Sequence, residues 1–138
     1  MRTKKAEELL RTCPVARLAT ADAQGRPHCV PVCFYWDGSH IYIALDEKPK
    51  RVDVRQLKRV RNILENPQVC VLVDRYSDDW SQLAFLQVHG RAELVDITPD
   101  VLAALRARYP PYRDMRFELM LRIEVERTVT WPQEIPRA

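Results

Sequence analysis

The chain has 138 residues, 46% of them hydrophobic and 30% charged, with a net charge of +3. That length fits one domain of roughly 100–150 residues, and the composition is that of a globular protein rather than a disordered chain. No window approaches the ~18 consecutive apolar residues of a membrane span. The charged start MRTKKAEELLRTC lacks a signal peptide's apolar run, so a cytoplasmic location without a membrane partner is expected.

Residues 4–11 read as a short amphipathic helix with Ala6, Leu9 and Leu10 apolar. Residues 16–20 form a short strand and 22–25 (DAQG) a turn. Residues 28–36 (HCVPVCFYW) are a β-rich run, in which Pro31 implies a bulge or an edge that needs one backbone donor fewer. Asp37-Gly38 is a hairpin signal, with 40–45 as the partner strand.

A basic helix follows. Asp53 and Gln56 resemble a capping box, Leu57, Val60 and Leu64 recur at helical spacing, and Asn66-Pro67 closes the segment. On a helical wheel from Val54 this stripe lies opposite Arg55, Lys58, Arg59 and Asn62. Residues 68–74 form an apolar strand suited to burial on both faces, 75–80 a polar loop, and 83–95 a strand bent at Gly90. A helix starts at Thr98-Pro99-Asp100 and ends near Tyr109. In the last strand Phe117, Leu119, Leu121, Ile123 and Val125 alternate with polar residues and Met120, leaving one wet face. The expected fold is mainly β with flanking helices, about six antiparallel strands in a closed or nearly closed barrel.

The charge is localised. Between positions 48 and 61 stand seven basic residues (Lys48, Lys50, Arg51, Arg55, Lys58, Arg59, Arg61) against one acid, a local +6, while the other 15 basic and 18 acidic residues sum to −3. A solvated helix face usually mixes signs, and this one does not. Cations gathered at a helix start, where backbone N–H groups and the dipole already favour an anion, point to a phosphate or pyrophosphate ligand. Trp80, after Asp78-Asp79, is placed to cover a ring system or to pack at a subunit interface. The four cysteines match no zinc spacing and read as reduced, buried thiols. Asp74, Asp78 and Asp79 lack a calcium-loop pattern, no nucleophile elbow accompanies the three histidines, and three glycines exclude a Gly-rich phosphate loop. Without exposed aromatic pairs for base stacking, nucleic acid is not an expected partner.

The succession of strand, GRPHCVPVCFYWDG, strand, RVRNILENP, QVCVLVD and VHGRAELV resembles the pyridoxamine 5′-phosphate oxidase-like split β-barrel flavoproteins, over residues 16–96. The resemblance implies a homodimer whose second subunit closes the cofactor site. It places the cofactor phosphate at Lys58 and Arg59, with Arg61 and Asn62 beside them; an insertion over 51–57 lets Lys48, Lys50 and Arg51 share that task. Val30, Pro31 and Val32 match the strand that meets the cofactor ring. Asp78-Asp79-Trp80 and Arg61-Asn62 look like the branch that uses the deazaflavin coenzyme F420, with FMN the alternative cofactor. Phe85 and the ending WPQEIPRA depart from the true oxidases and point away from pyridoxine phosphate synthesis. The implied activity is hydride transfer to a small unsaturated or quinone-like substrate, with no obligatory catalytic side chain expected; Tyr35 and Tyr76 read as packed strand aromatics, with proton donation the alternative role. A non-catalytic flavin or haem carrier is the alternative from another class.

Overall fold

A computed structural model describes residues 3–46 and 53–133. Helix α1 (Lys4–Thr12) is started by Thr3, whose hydroxyl accepts the Ala6 N–H at 3.1 Å, and it buries Ala6, Leu9 and Leu10. Seven strands follow: β1 (Ala16–Ala21), β2 (Pro27–Val32), β3 (Tyr35–Trp36), β4 (His40–Asp46), β5 (Gln68–Arg75), β6 (Ala84–Asp96) and β7 (Phe117–Trp131). They form one antiparallel sheet in the order β2-β1-β5-β6-β7-β4-β3. Helix α2 (Lys58–Glu65) lies between β4 and β5, and α3 (Pro99–Arg108) between β6 and β7.

The topology makes the barrel. The edge strands β2 and β3 are separated only by Cys33 and Phe34, so the two ends of the sheet must meet and the sheet curls. Fully buried Phe34 fills that seam. This break explains why there are seven strands and not six: the 28–36 run pairs with β1 up to Val32, then crosses to β4. Pro31 sits on the edge strand opposite Arg17, where no sheet neighbour needs its missing N–H.

The barrel interior is filled by Leu9, Leu18, Phe34, Ile41, Ile43, Leu86, Leu121 and Ile123, none more than 2% exposed. Each stabilises by ~1.5–3 kcal/mol, against ~0–1 kcal/mol for an exposed ion pair such as Arg11–Glu7. The core therefore holds the fold. A second cluster joins Val101 and Leu105 of α3 to Ala44, Phe117 and Met120. It corrects the wet face expected of the last strand, because α3 covers Met120 there.

Two further expectations change. Val69, Val71 and Val73 of β5 are buried, but Cys70 and Leu72 on the other face are only half-buried, since no helix crosses that side. All four cysteines are free, but only Cys13 is buried as expected; Cys33 and Cys70 are half-buried and Cys29, on the edge strand β2, is exposed.

Candidate functional site

The basic segment does not fold as one helix. Asp53 does act as a cap, its carboxylate accepting the Arg55 N–H at 3.0 Å, but it caps a single 3₁₀ turn over Val54–Gln56. Leu57 then turns extended (φ −59°, ψ 138°) and α2 begins afresh at Lys58. The new phase buries Val60, Asn62 and Ile63, and turns Leu64 out to 61% exposure. Asn62, expected on the polar face, is fully buried and donates from Nδ2 to the buried Thr20 hydroxyl at 3.0 Å, pinning α2 to β1.

The start of α2 is electrostatically inverted. Leu57 offers no side-chain cap, the first turn has no acid, and Lys58, Arg59 and Arg61 add positive charge to the positive end of the dipole. An α-helix leaves its first N–H groups without intrahelical acceptors. Such an arrangement is unfavourable by itself and favourable around an anion.

Lys58 and Arg59 diverge from this point. The Lys58 ammonium lies 3.7 Å from Oδ2 of Asp22, in the turn between β1 and β2. Asp22 is only 3% exposed. Its Oδ1 accepts the N–H groups of Gln24 (2.9 Å) and Arg26 (3.0 Å), and its Oδ2 accepts Nε–H of Arg26 (2.8 Å). The Arg26 backbone bond, helped by its guanidinium and by Gln24 and opposed by burial, holds this carboxyl down at about 2 against an ordinary 3.8. A carboxyl depressed on folding contributes stability above its unfolded value, lost as pH falls toward the folded one. The melting temperature of the wild type should therefore drop more steeply between pH 4 and 2 than that of Asp22→Asn; parallel curves would refute the assignment.

Arg59 turns the other way and is half-buried, in the field of Asp46 and Tyr112. Desolvation pulls its guanidinium below the usual arginine range, and its buried Nε has no hydrogen-bond partner among the described residues. Arg61 is exposed one turn on. Helix α2 packs on β1 and touches β2, the strand bearing Val30, Pro31 and Val32; Lys58 reaches the β1–β2 turn and Asn62 reaches β1, whereas Arg59 faces Asp46 and Tyr112. Lys48 and Lys50, with Arg51, lie outside the described residues.

Trp80 is not part of this group within one chain. It is 71% exposed on the 3₁₀ turn between β5 and β6, whereas α2 leads into the start of β5. The eight residues of β5 put roughly 23 Å between them. Near Trp80's end of the sheet Phe85 and Trp131 stack at 6.2 Å, beside a groove of about 310 Å³ that Tyr76 also lines. Tyr35, a candidate proton donor, stacks on Tyr42 at 6.3 Å as a packed strand aromatic. Among the described residues no cluster of His, Cys, Asp and Glu could hold a metal, and no helix is long and apolar enough to cross a membrane. The residue missed in the sequence is Arg26, whose role depends on a turn that folds it back onto Asp22.

The chain is an antiparallel split barrel with a basic helix start beside its edge strand, and comparison with known proteins gives that fold a family. The profile described as pyridoxamine 5′-phosphate oxidase matches residues 3–131. The chain belongs to that family. It is 31% identical over 130 residues to the 5a,11a-dehydrotetracycline/5a,11a-dehydrooxytetracycline reductase of Streptomyces rimosus, covering 94% of this chain and 82% of that one. Among solved structures, an F420 reductase is similar with a TM-score of 0.67 at 24% identity, over 89% of this chain and 94% of that one. HutZ, the haem storage protein of Vibrio cholerae, gives 0.70 at 19% identity, over 95% and 94%. These two likenesses establish the fold.

Proposed function

We propose that the chain is an oxidoreductase that binds a flavin-type cofactor by its phosphate at the start of α2, with coenzyme F420 favoured over FMN. It would pass a hydride to a small unsaturated or quinone-like substrate. The observation that carries the reading is the uncapped, acid-free first turn of α2 with its three cations. The reductase from Streptomyces rimosus and the F420 reductase fold support the choice of chemistry.

When bound, such a ring supplies the hydride chemistry. The protein's part is binding and placement. Lys58 and Arg59 neutralise the phosphate, while the ring is met by the backbone of the Val30–Val32 edge strand, whose outward groups have no sheet partner; the Val30 and Val32 side chains themselves pack into the barrel core. Closure of the site falls to a second copy of the chain. The outer face of β1, β5 and β6 carries Ala19, Cys70, Leu72 and Gln87 half-buried, and the exposed Trp80, Val129 and Trp131 lie toward its rim. A homodimer through this face would exclude water and bring one protomer's Trp80 toward its partner's cofactor.

The test is a titration of the purified protein with F420, FMN and haem in turn, following tryptophan fluorescence. F420 should bind most tightly, and Lys58→Ala and Arg59→Ala should each weaken it by ~1.5–3 kcal/mol, the worth of a charge-assisted hydrogen bond. Binding of none of the three would defeat the reading. The HutZ likeness supports a second reading, a haem carrier. Haem binding without turnover by any reductant would favour it.

A further inference from the structure

We propose that Arg26, oriented by Asp22, is a second arm of the phosphate site and closes on the ligand opposite Lys58. The inference rests on the cofactor reading above and extends it to two residues of the β1–β2 turn.

Oδ2 of Asp22 receives Nε of Arg26 at 2.8 Å and faces the Lys58 ammonium at 3.7 Å. Two cations share one buried carboxylate, so the trio keeps a net positive charge. The way Arg26 is held matters more than the count. Its guanidinium is tethered through Nε, the inner nitrogen, and its side chain is 75% exposed. One outer nitrogen, Nη2, has a 3.3 Å contact with Gln24 Oε1. The fork's outer edge, which can bind two phosphate oxygens at once, is thus presented to solvent in a fixed orientation. An arginine serving only to fasten the turn would spend that edge on the carboxylate.

The spacing along the chain agrees. Arg26 immediately precedes Pro27, the first residue of β2. Val30 to Val32 lie four to six residues farther on, roughly 13–20 Å at 3.3 Å per residue. A ring joined to a phosphate through a ribityl chain, the part that FMN and F420 share, spans from one to the other. Asp22 is therefore a positioning residue: it touches no ligand, and it fixes both cations that would.

Dissociation constants for FMN and riboflavin, which differ only by the phosphate, test this in the full-length protein alongside inorganic pyrophosphate. Wild type should prefer FMN. Arg26→Gln, a change at an exposed side chain, should weaken FMN and pyrophosphate about ten- to hundredfold and leave riboflavin unchanged. Asp22→Asn should lower the FMN-to-riboflavin preference in the same direction, and much less so when Arg26 is already glutamine. A loss of turn structure alone would weaken both flavins together. FMN preference intact in Arg26→Gln would overturn the clamp and leave the cofactor reading standing. Pyrophosphate bound through Arg26 with neither FMN nor F420 bound would keep the clamp and remove the cofactor reading. No binding of pyrophosphate, FMN or F420 would remove both.

Discussion

Gly90→Ala should lower the stability of the protein by about 3 kcal/mol, the upper end for adding bulk to a packed site. A Cβ built on Gly90 would lie 2.0 Å from the carbonyl oxygen of Glu124 and 3.0 Å from its carbon. Both are backbone atoms, so no rotamer change can relieve the contact. Gly90 stands where the pairing of β6 with β7 shifts register, between His89 and Gly90, and the two backbones approach closely there. The methyl group must push apart the longest ladder of the sheet. At ~2–8 °C per kcal/mol for a chain of this size, thermal melting should show a drop of about 10 °C. A change of less than 2–3 °C would mean that the bulge relaxes freely.

A bend at Gly90 was legible in the sequence, though not the register shift that accompanies it, and most elements were legible because their signals are local. Alternation marks β7, Thr98-Pro99 marks the start of α3, and the glycine turns at Gly25 (φ 81°) and Gly38 (φ 100°) mark two hairpins. The site was less legible, for a reason that can be named. A helical wheel weighs only the residues of its own segment, and it put Leu64 inside and Asn62 outside. The reverse occurs because Asn62 has a partner on another element, the buried Thr20 hydroxyl of β1, to which it donates at 3.0 Å. Arg26 has no periodicity to betray it, since its partner is chosen by the fold-back of a turn. The charge of the basic segment could be located from sequence alone, but which cations face one another could not.

The second large effect concerns the seam that closes the barrel. Arg108, at the end of α3, donates from Nη1 to the carbonyls of Leu10 (3.3 Å) and Phe34 (3.1 Å), and from Nη2 to the carbonyl of Cys13. Its guanidinium also lies 4.5 Å from the centre of the Phe34 ring. Next to it the Tyr109 hydroxyl donates to the Pro14 carbonyl at 2.7 Å and accepts the Phe34 N–H at 3.1 Å. One arginine thus ties together α3, the passage from α1 to β1, and the crossing from β2 to β3. The three segments are far apart in sequence; α3 supplies the donor, and the other two carry the backbone acceptors. Removing the side chain takes this donor from the Leu10 and Cys13 carbonyls, at ~1–3 kcal/mol for each buried polar group left unpaired, while the Phe34 carbonyl keeps the Tyr109 hydroxyl at 3.1 Å. Arg108→Ala should therefore cost about 3–5 kcal/mol, measured by urea unfolding. Arg108→Lys should recover only part of it, because a point charge cannot serve three carbonyls with the geometry of a planar fork. Full recovery by lysine would show that charge, and not the fork, secures the seam. Because the seam follows directly on Val32, Arg108→Ala should also loosen flavin binding more than it loosens pyrophosphate, whose proposed cations sit at the other end of β2.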